Sequence, residues 1–205
     1  MRESALNEMQ GRVVLITGAG KGSGRALAEA LGARGARIPA NDISPGNVEA
    51  VVATIVAAGG EAAAFVHDVA RKVAVQGLVQ EVEDRWGRID VLINHAAVEP
   101  QSALLDMDEW DWHRVLDVNL TGAFLLMQSV GRMMRTQGGG VIINLVTRPG
   151  SGSGNHPAAF LASMGGLVSL SQQAAEELGP AGVRVHALDI DRSSAVDAVL
   201  ELCKG

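Results

Sequence analysis

Short apolar runs alternate with longer amphipathic stretches along this chain. Short apolar runs bounded by glycine are typical of strands buried on both faces of a parallel sheet. Apolar residues spaced three and four apart are typical of helices that cover such a sheet. The pattern predicts strands at 12–17, 37–41, 62–66, 89–93, 140–146 and 183–188, and helices at 26–34, 45–58, 72–86, 107–134, 157–178 and 194–203. Strands that alternate with helices imply right-handed crossovers and a doubly wound α/β fold.

Within this pattern, Pro39 argues against the second strand, because proline has no N–H to give to a sheet ladder. No linker, internal repeat or block of like charges divides the sequence. We therefore expect residues 1–205 to form a single domain.

The composition narrows the classes of partner. The 205 residues carry 17 Lys+Arg and 23 Asp+Glu, a net charge of −6, which disfavours nucleic acid as a partner. The single cysteine, Cys203, excludes an internal disulfide and a cysteine-based zinc site. The first ten residues lack the apolar run of a signal peptide, and no apolar run is long enough to span a membrane. We therefore expect a soluble, cytoplasmic protein without a membrane partner.

A glycine-rich segment, TGAGKGSG, connects the first predicted strand to the first predicted helix, from Thr17 to Gly24. Glycine lets the backbone turn tightly and approach a pyrophosphate, which then lies at the positive end of the helix. The spacing T-G-x-x-x-G-x-G uses Gly18, Gly22 and Gly24, whereas the strict G-x-G-x-x-G spacing is absent. A tight turn from strand to helix also favours glycine without any ligand, so the cluster alone does not establish a dinucleotide site.

Asp42 strengthens the case for a dinucleotide. It ends the second predicted strand, 24 residues after Gly18, where an acidic residue accepts hydrogen bonds from an adenosine ribose. The alternative is a turn aspartate beside Ser44. Asp42 would repel a 2′-phosphate, whereas Lys21 in the glycine segment would attract one. The sequence thus favours NAD, with NADP possible.

Several ordered motifs resemble those of the short-chain dehydrogenase/reductase family over nearly the whole chain. Asp68 resembles the aspartate that contacts the adenine ring, and Asn94-His-Ala-Ala97 resembles the Asn-Asn-Ala-Gly motif with two positions changed. Asn119, in the segment DVNLTG, matches the asparagine of the family's proton relay. The resemblance implies the following cofactor-binding residues: Thr17, Gly18, Lys21, Gly22, Ser23, Gly24, Asp42, Asp68, Val69, Asn94 and Ala96. It also implies a Rossmann-like sheet of order 3-2-1-4-5-6 and hydride transfer between a nicotinamide dinucleotide and a carbonyl or alcohol.

The catalytic positions depart from the family pattern. Thr147 falls where the family has its catalytic serine, and Phe160 and Met164 stand where it has Tyr-x-x-x-Lys. Reduction of a ketone needs a proton for the developing alkoxide, and the chain contains no tyrosine at all. We therefore expect a cofactor-binding protein in which hydride transfer is lost or weak.

Two alternatives remain open. One is an active oxidoreductase that takes its proton from Thr147, Asn119, water or His156, although a lone loop histidine such as His156 is usually only solvated. The other is an interaction protein with a vestigial nucleotide site. For His95 we expect packing or backbone hydrogen bonding, and for His113 an exposed face of its helix.

The last expectations concern assembly and substrate. In the family, the two long helices either side of the fifth strand pair between subunits, so the chain is expected to form a homodimer or a higher homo-oligomer. Trp110 and Trp112 begin the first of these helices, where an exposed apolar surface would be an interface; the alternative is one tryptophan in the core and the other half exposed. After the sixth strand, Leu188-Asp-Ile-Asp191 replaces the family's Pro-Gly pair, and about a dozen residues follow. We expect the substrate-covering segment and a seventh strand to be missing, so the substrate is not predicted.

Overall fold

Successive residues of the strand β1 (Val14–Thr17) point to opposite faces of the sheet. In the computed structural model, which describes residues 9–147, 156–189 and 195–204, Leu15 packs in one apolar core and Val14 and Ile16 in the other. All three side chains are fully buried. An apolar run of this kind is stable only where helices cover both faces of the sheet.

Six parallel strands form that sheet. The remaining strands are β2 (Arg37–Asp42), β3 (Glu61–Val66), β4 (Val91–Asn94), β5 (Gly140–Val146) and β6 (Val183–Asp189). They lie in the order β3-β2-β1-β4-β5-β6, which confirms the predicted order. The carboxyl ends of β1 and β4 meet where the order of the strands reverses, and this is where ligands bind in doubly wound sheets.

The described residues contain seven α-helices, of which the first six lie between strands and the last follows β6. They are α1 (Gly22–Gly32), α2 (Pro45–Ala57), α3 (Lys72–Trp86), α4 (Glu109–Leu116), α5 (Gly122–Gln137), α6 (Ala158–Leu178) and α7 (Ala195–Cys203). Residues of α3, α5 and α6 build the core around Leu15, and residues of α1, α2 and α7 build the opposite core. Within the described residues, no helix has both the length and the apolar character needed to cross a membrane.

The predicted helix at 107–134 differs from the observed structure at both ends and in the middle. It begins at Glu109 because the Asp108 carboxylate accepts a hydrogen bond from the Asp111 backbone N–H, 2.7 Å away, and so caps the first turn. A π-helical turn, Asp117–Thr121, then separates α4 from α5. The helix α5 then extends to Gln137, beyond the predicted end at 134.

Smaller differences affect the other elements. The first helix begins at Gly22, inside the glycine segment and four residues before the predicted start. The first and fourth strands each begin two residues later than predicted, at Val14 and Val91. The bounds of α3 and β5 agree with the prediction.

Pro39 lies inside β2, contrary to the argument against a strand there. The Arg37 backbone N–H donates to the Arg12 carbonyl oxygen at 2.9 Å, and pairing with β1 resumes at Ala40. Pro39, whose nitrogen carries no hydrogen, lies between these two points of pairing, at Arg37 and at Ala40. Pairing with β3 continues along the whole strand, which is sufficient to hold β2 in the sheet.

The two tryptophans of α4 contradict the alternative that places one of them in the core. Trp110 is 71% exposed and Trp112 is half-buried, so neither belongs to the apolar core. His113 lies on the exposed side of the same helix, as expected.

A buried polar network joins β4, β5 and α6. The Asn94 side-chain amide donates to Asn144 Oδ1 at 2.7 Å, and the Asn144 amide donates to Ser171 Oγ at 2.8 Å. All three residues are buried. Because a buried polar group without a partner is costly, this network fixes the relative position of the three elements.

We expect Asn144→Ala to lower the free energy of unfolding by about 1–3 kcal/mol, because it leaves the Asn94 side-chain amide without a partner, whereas the Ser171 hydroxyl keeps the Leu167 carbonyl oxygen as its acceptor. Ser171→Ala removes one partner only and should cost about 1 kcal/mol. Urea unfolding followed by tryptophan fluorescence measures both values. Equal, small decreases in the free energy of unfolding of the two variants would contradict a stabilising role for this network.

Candidate functional site

A cavity of about 220 Å³ opens at the carboxyl ends of β1, β2 and β4. Its lining includes six of the predicted cofactor residues: Gly18, Lys21, Asp42, Asp68, Val69 and Ala96. A smaller adjoining cavity is lined by Thr17, Asn94, Asn119 and Met164, together with Val69 and Ala96. The fold therefore brings residues from distant parts of the chain to one place, at the end of the sheet where a dinucleotide is expected.

The glycine segment has the shape that a dinucleotide requires. Gly18 and Gly22 adopt left-handed backbone conformations, with φ of +64° and +56°. A Cβ atom on Gly24 would collide with the Gly18 carbonyl oxygen, so only glycine allows the helix start to pack this closely. A Cβ on Gly22 would meet nothing within 4 Å, so this part of the turn is open. A pyrophosphate fits such an open glycine turn at the start of α1.

His95 connects the glycine segment to the loop after β4. Its Nδ1 lies 3.1 Å from the Gly18 carbonyl oxygen, and its Nε2 lies 2.9 Å from Ser23 Oγ. Because a carbonyl oxygen only accepts, Nδ1 carries the hydrogen and Nε2 accepts from the Ser23 hydroxyl. Burial lowers the pKa of His95, although its backbone hydrogen bonds and Asp42 act in the opposite direction. His95 thus has the backbone hydrogen-bonding role expected for it.

The Thr17 hydroxyl holds the same loop from the end of β1. Thr17 is buried, and its Oγ1 accepts hydrogen bonds from the backbone N–H groups of His95 and Ala96, at 3.1 and 3.2 Å. The loop after β4 is therefore fixed beside the glycine segment by both backbone and side-chain contacts.

Asp42 has the turn role that the sequence offered as one alternative, and it also lies at the cavity. Its Oδ1 accepts from the Ser44 backbone N–H, and its Oδ2 accepts from the Gly20 backbone N–H, both at 2.9 Å. Asp42 also lines the cavity of about 220 Å³. Each oxygen of a carboxylate has more than one acceptor site, so these bonds leave capacity for the hydroxyls of a ribose.

Asp68 has a partner that sequence reasoning missed. Its Oδ1 accepts from the Ala70 backbone N–H at 3.0 Å, and its Oδ2 lies 3.8 Å from Arg114 Nη1. Arg114 belongs to α4 and lines the large cavity. No motif marks this arginine, because its position depends on how α4 packs across the end of the sheet.

Of the catalytic positions, Asn119 lies in the π-helical turn and lines the smaller cavity together with Met164. The Asn119 Oδ1 accepts from the Val98 backbone N–H at 2.8 Å, and its Nδ2 donates to the Val98 carbonyl oxygen and to Ser163 Oγ at 3.0 and 3.1 Å. Thr147 is buried directly after β5. Phe160 and Met164 are buried in the apolar core and carry no titratable proton.

Glu99 is a second residue that sequence reasoning missed, and it pairs with His156. Glu99 Oε1 is 2.6 Å from His156 Nδ1, and the His156 ring stacks on the Phe160 ring with centroids 5.2 Å apart and planes 27° apart. The two partners are 57 residues apart in sequence. No local signal in the sequence indicates this pairing.

We expect His95→Ala to lower the free energy of unfolding by about 1–3 kcal/mol, because the Gly18 carbonyl and the Ser23 hydroxyl lose their shared partner. The pKa of His95 is lowered by folding, so its neutral form stabilises the protein above the unfolded pKa of about 6.5. That contribution is lost as the pH falls through the lowered pKa of the folded state. His95→Asn, which cannot titrate, serves as the matched control.

Urea unfolding of the unmodified protein and of His95→Asn at about pH 7.5 and about pH 5.5 tests the pH dependence. The unmodified protein should lose more stability on acidification than the asparagine variant. An identical pH dependence in the two proteins would contradict a buried, neutral His95.

Comparisons with known proteins agree with this geometry. Residues 12–190 match the family model described as short chain dehydrogenase. The D-threitol dehydrogenase of Mycolicibacterium smegmatis is 37% identical over 180 residues, which cover 88% of this chain and 69% of that relative.

Two solved structures are also similar. The NAD⁺-bound structure of a xylitol dehydrogenase has a TM-score of 0.84 and 35% identity, covering 88% of this chain and 70% of that chain. A metagenomic short-chain oxidoreductase in complex with NADP has a TM-score of 0.89 and 32% identity, covering 97% of this chain and 94% of that chain. The sheet order, the glycine turn and these likenesses agree that the chain belongs to the short-chain dehydrogenase/reductase family of NAD(P)-dependent oxidoreductases.

Proposed function

We propose that this chain binds NAD(P) in the 220 Å³ cavity and that hydride transfer by the family's tyrosine–lysine route is lost or weak. Residues 1–205 act as one domain, whose role is to sense the cofactor or to accompany an active relative. The observation that carries the proposal is a contrast within one site. Predicted cofactor residues gather around the cavity, whereas the apolar side chains of Phe160 and Met164 fill the two catalytic positions.

The cofactor half of the proposal rests on the glycine turn and on Asp42. The glycine turn is open for a pyrophosphate, and the Asp42 carboxylate lines the cavity with spare acceptor capacity. The negative charge of Asp42 favours NAD, because it would repel the 2′-phosphate of NADP. The exposed Lys21 would attract that phosphate, so NADP is the second candidate cofactor. When bound, the dinucleotide supplies or accepts the hydride. The substrate of any remaining reaction is a carbonyl or alcohol, the class that includes the D-threitol and xylitol in the names of similar proteins.

The catalytic half rests on proton supply. A phenol has an unperturbed pKa near 10 and acts near neutrality only beside a cation. Phe160 has no proton to give and Met164 has no ammonium group. A positioned acid or base contributes about 10²–10⁴-fold to the rate, so the loss of this pair removes a large part of catalysis.

A second candidate is an active oxidoreductase that uses Thr147. Its hydroxyl lies at the end of β5, where the family has a serine, and can hydrogen-bond a substrate carbonyl. The β-branched side chain restricts its rotamers but keeps the hydroxyl. An interaction protein with a vestigial site is the remaining alternative, and it would bind no dinucleotide.

The proposal includes a homodimer through α5 and α6. A groove of about 260 Å³ lies between these helices and contains Phe124, which is 42% exposed, and the opposite charges of Arg135 and Glu177. In a twofold interface the same patch meets its own copy, so a groove with apolar and complementary charged groups is well suited to self-association.

We expect NADH to bind with a Kd on the order of micromolar and NADPH to bind more weakly. Asp42→Asn should narrow this difference by about tenfold, because it removes the charge that repels a 2′-phosphate. Tryptophan quenching and thermal shift measure both affinities. Asp84→Asn, an exposed residue on α3, changes the net charge equally and serves as the control.

An unchanged NADH and NADPH preference in Asp42→Asn would contradict the ribose role of Asp42. Absence of binding at millimolar NADH would contradict the dinucleotide site itself and favour the interaction protein.

The catalytic half is tested by restoring the missing groups. We expect Phe160→Tyr combined with Met164→Lys to raise the rate of NADH-dependent carbonyl reduction by about 10²–10⁴-fold, because a phenol and its neighbouring cation return together. Phe160→Tyr alone should gain much less. Consumption of NADH with diacetyl measures the rate. Turnover of the unmodified protein at ordinary enzymatic rates would contradict the proposed loss.

A further inference from the structure

We propose that His156 is a proton-transferring residue of this site and that Glu99 positions it. The inference rests on the proposed function, because it assumes the dinucleotide site, and it concerns the weak activity that remains when the tyrosine and lysine are absent. It assigns the proton-transfer role to a histidine–carboxylate pair that lies outside the family's motif.

The position of Glu99 follows from the loop after β4. Residues Ala96 and Val98 of this loop line the dinucleotide cavity, and both backbone polar atoms of Val98 bind the Asn119 side chain. Glu99 is the next residue. The Glu99 carboxylate is therefore attached to a loop that Thr17 holds at one end and Asn119 holds at the other.

The position of His156 follows from α6. His156 lies four residues before Phe160, and its ring stacks on the Phe160 ring with centroids 5.2 Å apart. Phe160 occupies the position that is tyrosine in the family. The structure thus places an ionisable ring directly against the aromatic ring that has lost its phenol.

The hydrogen bond between the two side chains sets the chemistry of the imidazole. His156 Nδ1 lies 2.6 Å from Glu99 Oε1, and a carboxylate oxygen accepts, so Nδ1 carries a hydrogen. This leaves Nε2 to gain or lose the second proton, and in the described residues Nε2 has no hydrogen-bond partner. A carboxylate that orients an imidazole in this way fixes its tautomer and stabilises the imidazolium when it forms.

The exposure of the pair suits proton exchange. The His156 side chain is 21% exposed and that of Glu99 is 31% exposed, so both are shielded but reach solvent. By contrast, the surface pair His113–Glu109 is longer, at 3.4 Å, and its side chains are 62% and 89% exposed. His95 is unsuitable because both its ring nitrogens already contact the glycine segment.

The proton balance of the step is simple. In carbonyl reduction, NADH would, when bound, supply the hydride to the carbonyl carbon and become NAD⁺. The electron pair of the C=O π bond would form the new O–H bond with the proton of His156 Nε2, which leaves the carbonyl reduced to an alcohol and the imidazole neutral. Solvent then returns the proton to His156. Alcohol oxidation follows the same steps in reverse.

A histidine also accounts for the absence of a neighbouring lysine. A phenol needs a cation to act near neutrality, because its unperturbed pKa is about 10, whereas an imidazole can exchange a proton near neutrality without such help. With His156 as the acid, proton transfer does not depend on an ammonium group at the position of Met164, four residues beyond Phe160.

The experiment uses the full chain and three readouts. The first is ¹⁵N NMR of the imidazole, which needs neither cofactor nor substrate. The second is the NADH affinity. The third is turnover: oxidation of D-threitol and xylitol by NAD⁺, and reduction of diacetyl by NADH, each measured as a function of pH.

The variants are His156→Ala, Glu99→Ala and Glu99→Gln, with His113→Ala as the matched control from the surface pair.

We expect slow turnover by the unmodified protein, with reduction falling and oxidation rising as the pH increases. His156→Ala should lower turnover by about 10²–10⁴-fold and leave the NADH affinity unchanged. Neutral His156 should carry its hydrogen on Nδ1, and Glu99→Ala should abolish that preference. Glu99→Gln keeps an acceptor without the charge, so it should change the pH profile, whereas His113→Ala should change nothing.

The contrary results distinguish failure of the inference from failure of the proposed function. NADH binding without turnover of any of these substrates would overturn the inference and leave the proposed function intact. Turnover that survives His156→Ala, or a Glu99→Gln variant with an unchanged pH profile, would do the same. Absence of NADH binding would overturn the proposed function and this inference together.

Discussion

The site depends on one buried hydroxyl. The Thr17 hydroxyl oxygen, at the end of β1, accepts hydrogen bonds from the backbone N–H groups of His95 and Ala96. These bonds attach the loop after β4 to the central strand of the sheet. From this fixed loop His95 reaches the glycine turn, and the next residues line the dinucleotide cavity. Glu99, further along, reaches His156. The glycine turn, the cavity and the histidine–carboxylate pair thus share one anchor.

The two halves of the site arise from different elements. Most predicted cofactor residues follow β1, β2 and β3, whereas the catalytic positions follow β5 or lie on α6. Phe160 and Met164 are one helical turn apart and therefore share a face of α6, where both join the apolar core. Replacing both polar residues together avoids a buried ammonium group without a partner, which is costly. The apolar side chains at these two positions of α6 therefore belong to the core, whereas the predicted cofactor residues lie on other elements.

Much of the fold was predictable because burial imposes periodicity. A strand covered on both faces must be apolar throughout, and β5 shows this well enough that its bounds agree with the prediction. The π-helical turn was not predictable from periodicity. It occurs where Asn119 binds the backbone of Val98, a contact between residues 21 apart in sequence. The start of α4 was missed because the cap at Asp108 outweighed the apolar pattern before it.

The same distinction between local and distant contacts applies to the site. The glycine turn is contiguous in sequence, so its residues indicate a dinucleotide before the fold is known. Arg114 beside Asp68 and Glu99 beside His156 are pairs that only the topology creates. A loop histidine considered alone is best interpreted as solvated, because water is its most available partner. With a carboxylate 2.6 Å from Nδ1 and an aromatic ring against its face, the same histidine has a fixed tautomer and orientation. Its chemistry is therefore determined by a partner 57 residues away, which no local motif contains.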